Sequence, residues 1–171
     1  MRFVGMKRKG VKANRFLSRR LAIKGKSIMP KILIVYYSHT GNTEKMAEAI
    51  AEGARTVQGV EVEVKRYEVP QRLVDFDAVL VGAPTYHHTM TNNIKNFLEK
   101  VAFHNVNLKG KIGAAFGSYG WSGEAPRLVL EIMKNKFEMN VLEQPLLIKY
   151  TPDAEGLQQC RKVGKIVADK I

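Results

Sequence analysis

From residue 30 onward the chain alternates short runs of aliphatic and β-branched residues with longer stretches in which apolar residues recur every three or four positions. Lys31 to Tyr37 (KILIVYY) and Asp77 to Gly82 (DAVLVG) are nearly continuous apolar runs, the pattern of central strands covered on both faces. Lys111 to Gly117 (KIGAAFG) predicts a fourth strand, and Val141 to Tyr150 a fifth strand region. Val60 to Tyr67 alternates polar with apolar residues and therefore reads as a strand nearer the sheet edge. Between these runs the helical period predicts four helices. Thr43 to Arg55 carries Met46, Ala47, Ile50 and Ala54 on one face, and Asn93 to Val101 carries Ile94, Phe97, Leu98 and Val101. Ala125 to Lys136 follows, and Asp153 to Ile171 closes the chain with Leu157, Cys160, Val163 and Val167 inward. Pro70 to Phe76 is too short for a full helix and predicts a turn or one helical turn.

Strands alternating with helices predict an α/β fold, a doubly wound five-stranded parallel sheet of order 2-1-3-4-5 with helices on both faces. In that order the ends of strands one, three and four lie side by side at the topological switch point, where such sheets bind ligands. The loops after those strands are therefore the places to look for chemistry.

The first is Ser38-His39-Thr40-Gly41-Asn42-Thr43, between a strand and a helix start. Hydroxyls from Ser38, Thr40 and Thr43 join the free N–H groups of the helix terminus, and Gly41 allows a close backbone approach, which makes an anion cradle without a lysine. Taken alone the same residues could simply cap the helix. Two further loops change that. Ala83-Pro84-Thr85-Tyr86-His87-His88 follows the third strand, and Gly117-Ser118-Tyr119-Gly120-Trp121-Ser122-Gly123-Glu124 follows the fourth. They bring Tyr86, Tyr119 and Trp121 to positions that core packing does not explain, with Gly117, Gly120 and Gly123 letting the last loop fold tightly around a flat ring. A phosphate cradle beside an aromatic slot describes flavin mononucleotide (FMN).

On these residues the chain from about Lys31 to its C-terminus resembles the flavodoxin family. Ser38 to Thr43 matches that family's T/S-x-T-G-x-T phosphate loop at every defined position. Gly82 to Tyr86 and Gly117 to Ala125 are similar to the flavodoxin module of flavodiiron proteins. The resemblance implies a flavodoxin-like sheet over residues 30–171. It implies phosphate binding by Ser38, His39, Thr40, Gly41, Asn42 and Thr43, with ring contacts from Pro84, Thr85, Tyr86 and His87 and from Ser118, Tyr119, Gly120, Trp121 and Gly123. It also implies an FMN-binding electron carrier between redox partner proteins. The alternative is an NAD(P)H-dependent quinone or flavin reductase of the same fold; the folded part holds no insertion that would build a second substrate wall, which favours the carrier.

Charge changes this picture little. The chain of 171 residues has a net charge of +12, but ten of its 28 basic residues and none of its 16 acidic ones fall in residues 1–29, so the rest is nearly neutral. That segment is expected to be a disordered basic extension. The extension is expected to have no role in the fold, as from a start codon called too early; contact with nucleic acid or an acidic surface, and organelle targeting, are its alternatives. No apolar run approaches a membrane span, and Cys160, the sole cysteine, allows neither an intramolecular disulfide nor a cysteine metal cluster, so a cytoplasmic setting is expected. His39 is expected to face solvent and His104 to be an inert loop residue. His87 and His88 are either exposed loop residues or neighbours of the reactive edge of the ring, and their spacing does not suit a metal.

Overall fold

The computed structural model describes residues 29–66 and 68–171; apart from Met29, the basic extension expected for residues 1–29 lies outside the described residues, as does Tyr67. The elements run β1 (Lys31–Tyr36), α1 (Asn42–Arg55), β2 (Glu61–Lys65), a 3-10 stretch (Pro70–Asp75), β3 (Ala78–Gly82), β4 (Thr85–Tyr86), β5 (Thr89–Met90), α2 (Asn92–Phe103), β6 (Ile112–Tyr119), α3 (Glu124–Asn135), β7 (Asn140–Val141), β8 (Leu146–Lys149) and α4 (Ala154–Asp169). The main sheet is parallel in the order β2-β1-β3-β6, and both β7 and β8 pair with the far edge of β6. This is the predicted order, with its fifth strand in two pieces. Val141 and Leu146 are five residues apart while their partners Gly113 and Phe116 are three apart, so two extra residues loop out of the edge. Pro145, which has no N–H to give the ladder, lies in the gap.

The central strands alternate between two apolar layers. Leu33, Val35, Val79, Val81 and Ala115 face the layer that α2 and α3 cover, while Ile32, Ile34, Leu80, Ala114 and Phe116 face α1 and α4. Burial on both faces is why β1 and β3 read as unbroken apolar runs. The edge strand β2 alternates Glu61, Val62, Glu63 and Val64, and its outer carboxylates pair with Lys31 at 3.0 Å and Arg72 at 3.3 Å. In place of a crossover helix between β2 and β3, the six-residue 3-10 stretch buries only Pro70 and Leu73. A groove of about 670 Å³ remains open beside it, floored by Val35 and Tyr37.

Pro84 and the two residues before it end β3 abruptly, and the chain then makes a short antiparallel hairpin, β4 to β5, that periodicity does not reveal. Its turn places His87 at φ 47° and His88 at φ 62°. Two consecutive left-handed residues are the geometry of a tight hairpin turn, usually filled by Asn-Gly. A His-His pair carries no such signature.

Helices α1 and α4 approach so closely that two glycines are obligatory. A Cβ on Gly53 would lie 1.9 Å from the carbonyl oxygen of Arg161, and one on Gly164 would lie 1.9 Å from that of Ile50. The thiol of Cys160 is sealed in this interface, where burial pushes it up to about 11 and leaves it unreactive. Gly164→Ala is expected to destabilise the fold by about 1–3 kcal/mol through overpacking, despite the helix-propensity gain of about 1 kcal/mol that alanine brings. Calorimetry should show a midpoint several degrees below wild type, with Lys162→Ala on the exposed face unchanged; equal midpoints for all three proteins would contradict the close contact.

Candidate functional site

Three loops leave the C-terminal ends of the adjacent strands β1, β3 and β6 and meet at one end of the sheet. In the first, Ser38 is buried and its Oγ accepts the N–H of Gly41 at 3.0 Å, folding the loop back on itself. Gly41 has φ 86° with open space where a Cβ would stand, so the loop uses its left-handed freedom while leaving room above it. Gly41 is also the N-cap of α1, and among the described residues no side chain caps that helix. The first N–H groups of α1 therefore have no internal partner, and the terminus carries roughly half a unit of positive charge. His39 and Thr40 are exposed on the loop crest, and Asn42 is half-buried.

Beneath the crest lies a layer of hydroxyls. Thr43, 1% exposed, and the buried Ser118 at the end of β6 stand 3.2 Å apart, Oγ1 to Oγ, and so tie the first loop to the third. Tyr36 donates its phenol to Glu44 Oε1 at 2.7 Å. Burial first, and this carboxylate next, push the Tyr36 phenol up to about 12, so it remains a donor at every physiological pH.

The second and third loops are joined by three contacts. The N–H of Ala125, in the first turn of α3, donates to Thr85 Oγ1 at 3.1 Å. His88 Nδ1 is 3.0 Å from Ser122 Oγ and 3.2 Å from Glu124 Oε1. The Ser122 hydroxyl foremost, against burial and aided by His88, holds the Glu124 carboxyl below the usual carboxylate range. Glu124 Oε2 is buried without a partner. Pro84 is buried at the root of the second loop, whereas Tyr86 and His87 at its tip are exposed. On the third loop Gly123 is the N-cap of α3, packed so near Leu147 that a Cβ would lie 2.9 Å from its Cδ1. Tyr119 and Gly123 are half-buried, and Gly120 is exposed. Trp121 stands 89% exposed, the largest apolar side chain of the chain and almost wholly in solvent. An aromatic that folding leaves uncovered at the C-terminal end of the sheet is available to a flat ligand.

Two residues with no motif to announce them belong to the same end. Arg66, just past β2, donates from Nη2 to the carbonyl of Ser38 at 2.7 Å and lies over the Tyr37 ring, 5.9 Å from its centroid. Tyr150, at φ 58° just past β8, donates its N–H to the Tyr119 carbonyl at 2.7 Å and holds its ring next to Gly120. Lys149 rests its ammonium 5.3 Å from the Tyr150 centroid. His104 is exposed and edge-on to Phe103, and it lines the groove beside the 3-10 stretch, to which Tyr37 and Arg66 also contribute. Among the described residues no cluster of three or more His, Cys, Asp or Glu could hold a metal, and no helix is long and apolar enough to cross a membrane.

The flavodoxin family model matches residues 34–164. The type A flavoprotein fprA of Rhodobacter capsulatus is 35% identical over 163 residues, covering 92% of this chain and 37% of that protein. A flavodoxin from the domain Archaea superposes with a TM-score of 0.76 at 38% identity, covering 82% of this chain and 97% of the other. The flavodiiron protein of Giardia intestinalis gives 0.72 at 25% identity, over 82% of this chain and 36% of its own. The chain thus spans little more than a third of the length of the curated relatives it matches, while the archaeal flavodoxin is matched almost end to end.

The tie between the second and third loops can be tested without any ligand. Thr85→Val removes the acceptor for the Ala125 N–H, a residue with no exposed surface, and an unpaired buried donor costs about 1–3 kcal/mol. Urea unfolding should show that loss in Thr85→Val and its recovery in Thr85→Ser; a valine variant as stable as wild type would show that the bond contributes nothing.

Proposed function

This chain belongs to the flavodoxin family, and from that premise we propose that residues 30–171 form one domain that holds a single FMN non-covalently at the C-terminal end of the sheet and passes electrons through it between redox partner proteins. The observation that carries the reading is the uncapped start of α1: a helix N-terminus with free N–H groups, ringed by Ser38, Thr43 and Ser118 and facing open space at Gly41. A phosphate fits that chemistry, since it accepts hydrogen bonds from N–H and hydroxyl donors alike and carries the negative charge the terminus favours.

Each segment of the chain then has a role. The N–H groups of Asn42 and Thr43 and the hydroxyls of Ser38, Thr40 and Thr43 hold the phosphate, while Gly41, whose own N–H is bonded to Ser38 Oγ, leaves room for it. His39 contributes its backbone and turns its side chain to water. Pro84, Thr85, Tyr86 and His87 form one wall for the ring and Ser118, Tyr119, Gly120, Trp121 and Gly123 the other. Thr85, with His88, Ser122 and Glu124, keeps the two walls at a fixed separation. Bound FMN supplies the redox chemistry; the protein excludes water from one side of the ring and leaves an edge open to partners. Exposed Trp121 and Tyr86 stand at that edge. A cytoplasmic location is in keeping with a single cysteine that is buried and free.

Purified protein should bind FMN in a one-to-one ratio and quench both the flavin and the Trp121 fluorescence. Riboflavin, which lacks the phosphate, should bind at least tenfold more weakly. Thr43→Val should lower FMN affinity about tenfold or more, the loss of one charge-assisted hydrogen bond. Equal affinity for FMN and riboflavin would remove the phosphate assignment, and steady oxidation of NAD(P)H with a quinone in the absence of any partner protein would replace the carrier with a reductase.

A further inference from the structure

We propose that Arg66 is the cation that makes the Ser38 to Thr43 loop select a phosphorylated flavin over an unphosphorylated one; the proposal rests on the FMN reading above and deepens it. No lysine or arginine occurs within the loop itself. The fixed charges packed at its foot are negative: Glu44 lies in the first turn of α1 with its carboxylate on the Tyr36 phenol, and Glu48 follows one turn later. A phosphate ester carries a charge of about −1.5 to −2 at neutral pH, so the half charge of a helix terminus, set against Glu44, leaves it under-neutralised. Lys45 and His39 at the same end are exposed.

Arg66 is exposed as well, but its guanidinium is tethered. Its Nη2 is 2.7 Å from the carbonyl oxygen of Ser38, and the Tyr37 ring lies beneath its guanidinium, so two contacts hold the charge at the root of the loop. The loop is compact, with Ser38 Oγ bonded to the Gly41 N–H, which keeps a bound anion within about one Debye length of the guanidinium. The bond to Ser38 uses one of the five guanidinium N–H groups and leaves the charge itself intact. Arg66 is thus a specificity-determining residue. Its field acts on the phosphate and hardly at all on the neutral ring, and because it acts partly through solvent it weakens as salt rises.

The test titrates wild type, Arg66→Gln and Arg66→Lys with FMN and with riboflavin, at low and at high sodium chloride. Glutamine can still donate to the Ser38 carbonyl but carries no charge. Wild-type affinity for FMN is expected to fall with salt. Arg66→Gln should lose about tenfold in FMN affinity at low salt, keep its riboflavin affinity within about twofold, and show a flatter salt dependence. Arg66→Lys should retain most of the salt dependence. The proposal is overturned if FMN and riboflavin affinities fall together in Arg66→Gln, which would make Arg66 a brace for the loop, or if the FMN-to-riboflavin ratio and its salt dependence stay at wild-type values. A wild-type protein that binds both flavins equally would instead remove the phosphate cradle itself, and that result is visible before any variant is made.

Discussion

Where β3 leaves the sheet beside β6, the Ala83 N–H donates to the Phe116 carbonyl at 2.8 Å, and Gly117 passes so near the Ala83 carbonyl that a Cβ there would lie 2.0 Å from the oxygen. One residue earlier, Gly82 leaves room for the Phe116 ring and the Tyr36 Cβ, both within 2.7 Å of where its own Cβ would be. Three strand ends are thus drawn together by backbone hydrogen bonds and by the absence of two side chains. Every feature of the binding end descends from this contact, because it sets the spacing from which the second and third loops diverge. Any larger residue at 117 would have to displace the main-chain carbonyl of Ala83, which is a costlier adjustment than moving a side chain.

Above that contact the site is built from polar groups that satisfy one another only in part. The pair Thr43 and Ser118 is buried and hydrogen-bonded, and Ser38 Oγ accepts the Gly41 N–H, yet the N–H groups opening α1 and the Glu124 Oε2 atom have no partner among the described residues. Buried or half-buried polar groups left unpaired are costly, and the proposed ligand would supply partners to those at this end of the sheet. The aromatic side chains obey the same logic from the apolar side: Trp121 and Tyr150 are exposed at this end although the core elsewhere buries rings as large as Phe76 and Phe116.

Backbone conformation contributes a third sign. Among the described residues, three of the five non-glycine residues with positive φ, His87, His88 and Tyr150, cluster around the loops of the site. Each left-handed residue with a Cβ costs of order 1 kcal/mol or more, and such residues persist where surrounding contacts fix them. His88 is fixed by Ser122 and Glu124, and Tyr150 by its bond to Tyr119. The hairpin and the edge residue are therefore held in place by the third loop rather than by their own preferences.

The amino-acid sequence by itself determined the strands, the helices and their order, because apolar runs such as KILIVYY and the spacing of Met46, Ala47, Ile50 and Ala54 are local records of which face is buried. It also marked the three loops, since hydroxyls, glycines and aromatics in those positions have no part in a core. Tertiary structure alone decided the rest. The β4–β5 hairpin was silent because His-His lacks the glycine that its turn ordinarily requires, and the split of the last strand appeared only as a difference in register with β6. Arg66 and Tyr150 carry no motif, and their place at the site follows from where β2 and β8 end beside the first and third loops. Periodicity is a property of neighbours along the chain, whereas the partner of a side chain such as Arg66 is set by packing between segments 28 residues apart, and no local pattern encodes that distance.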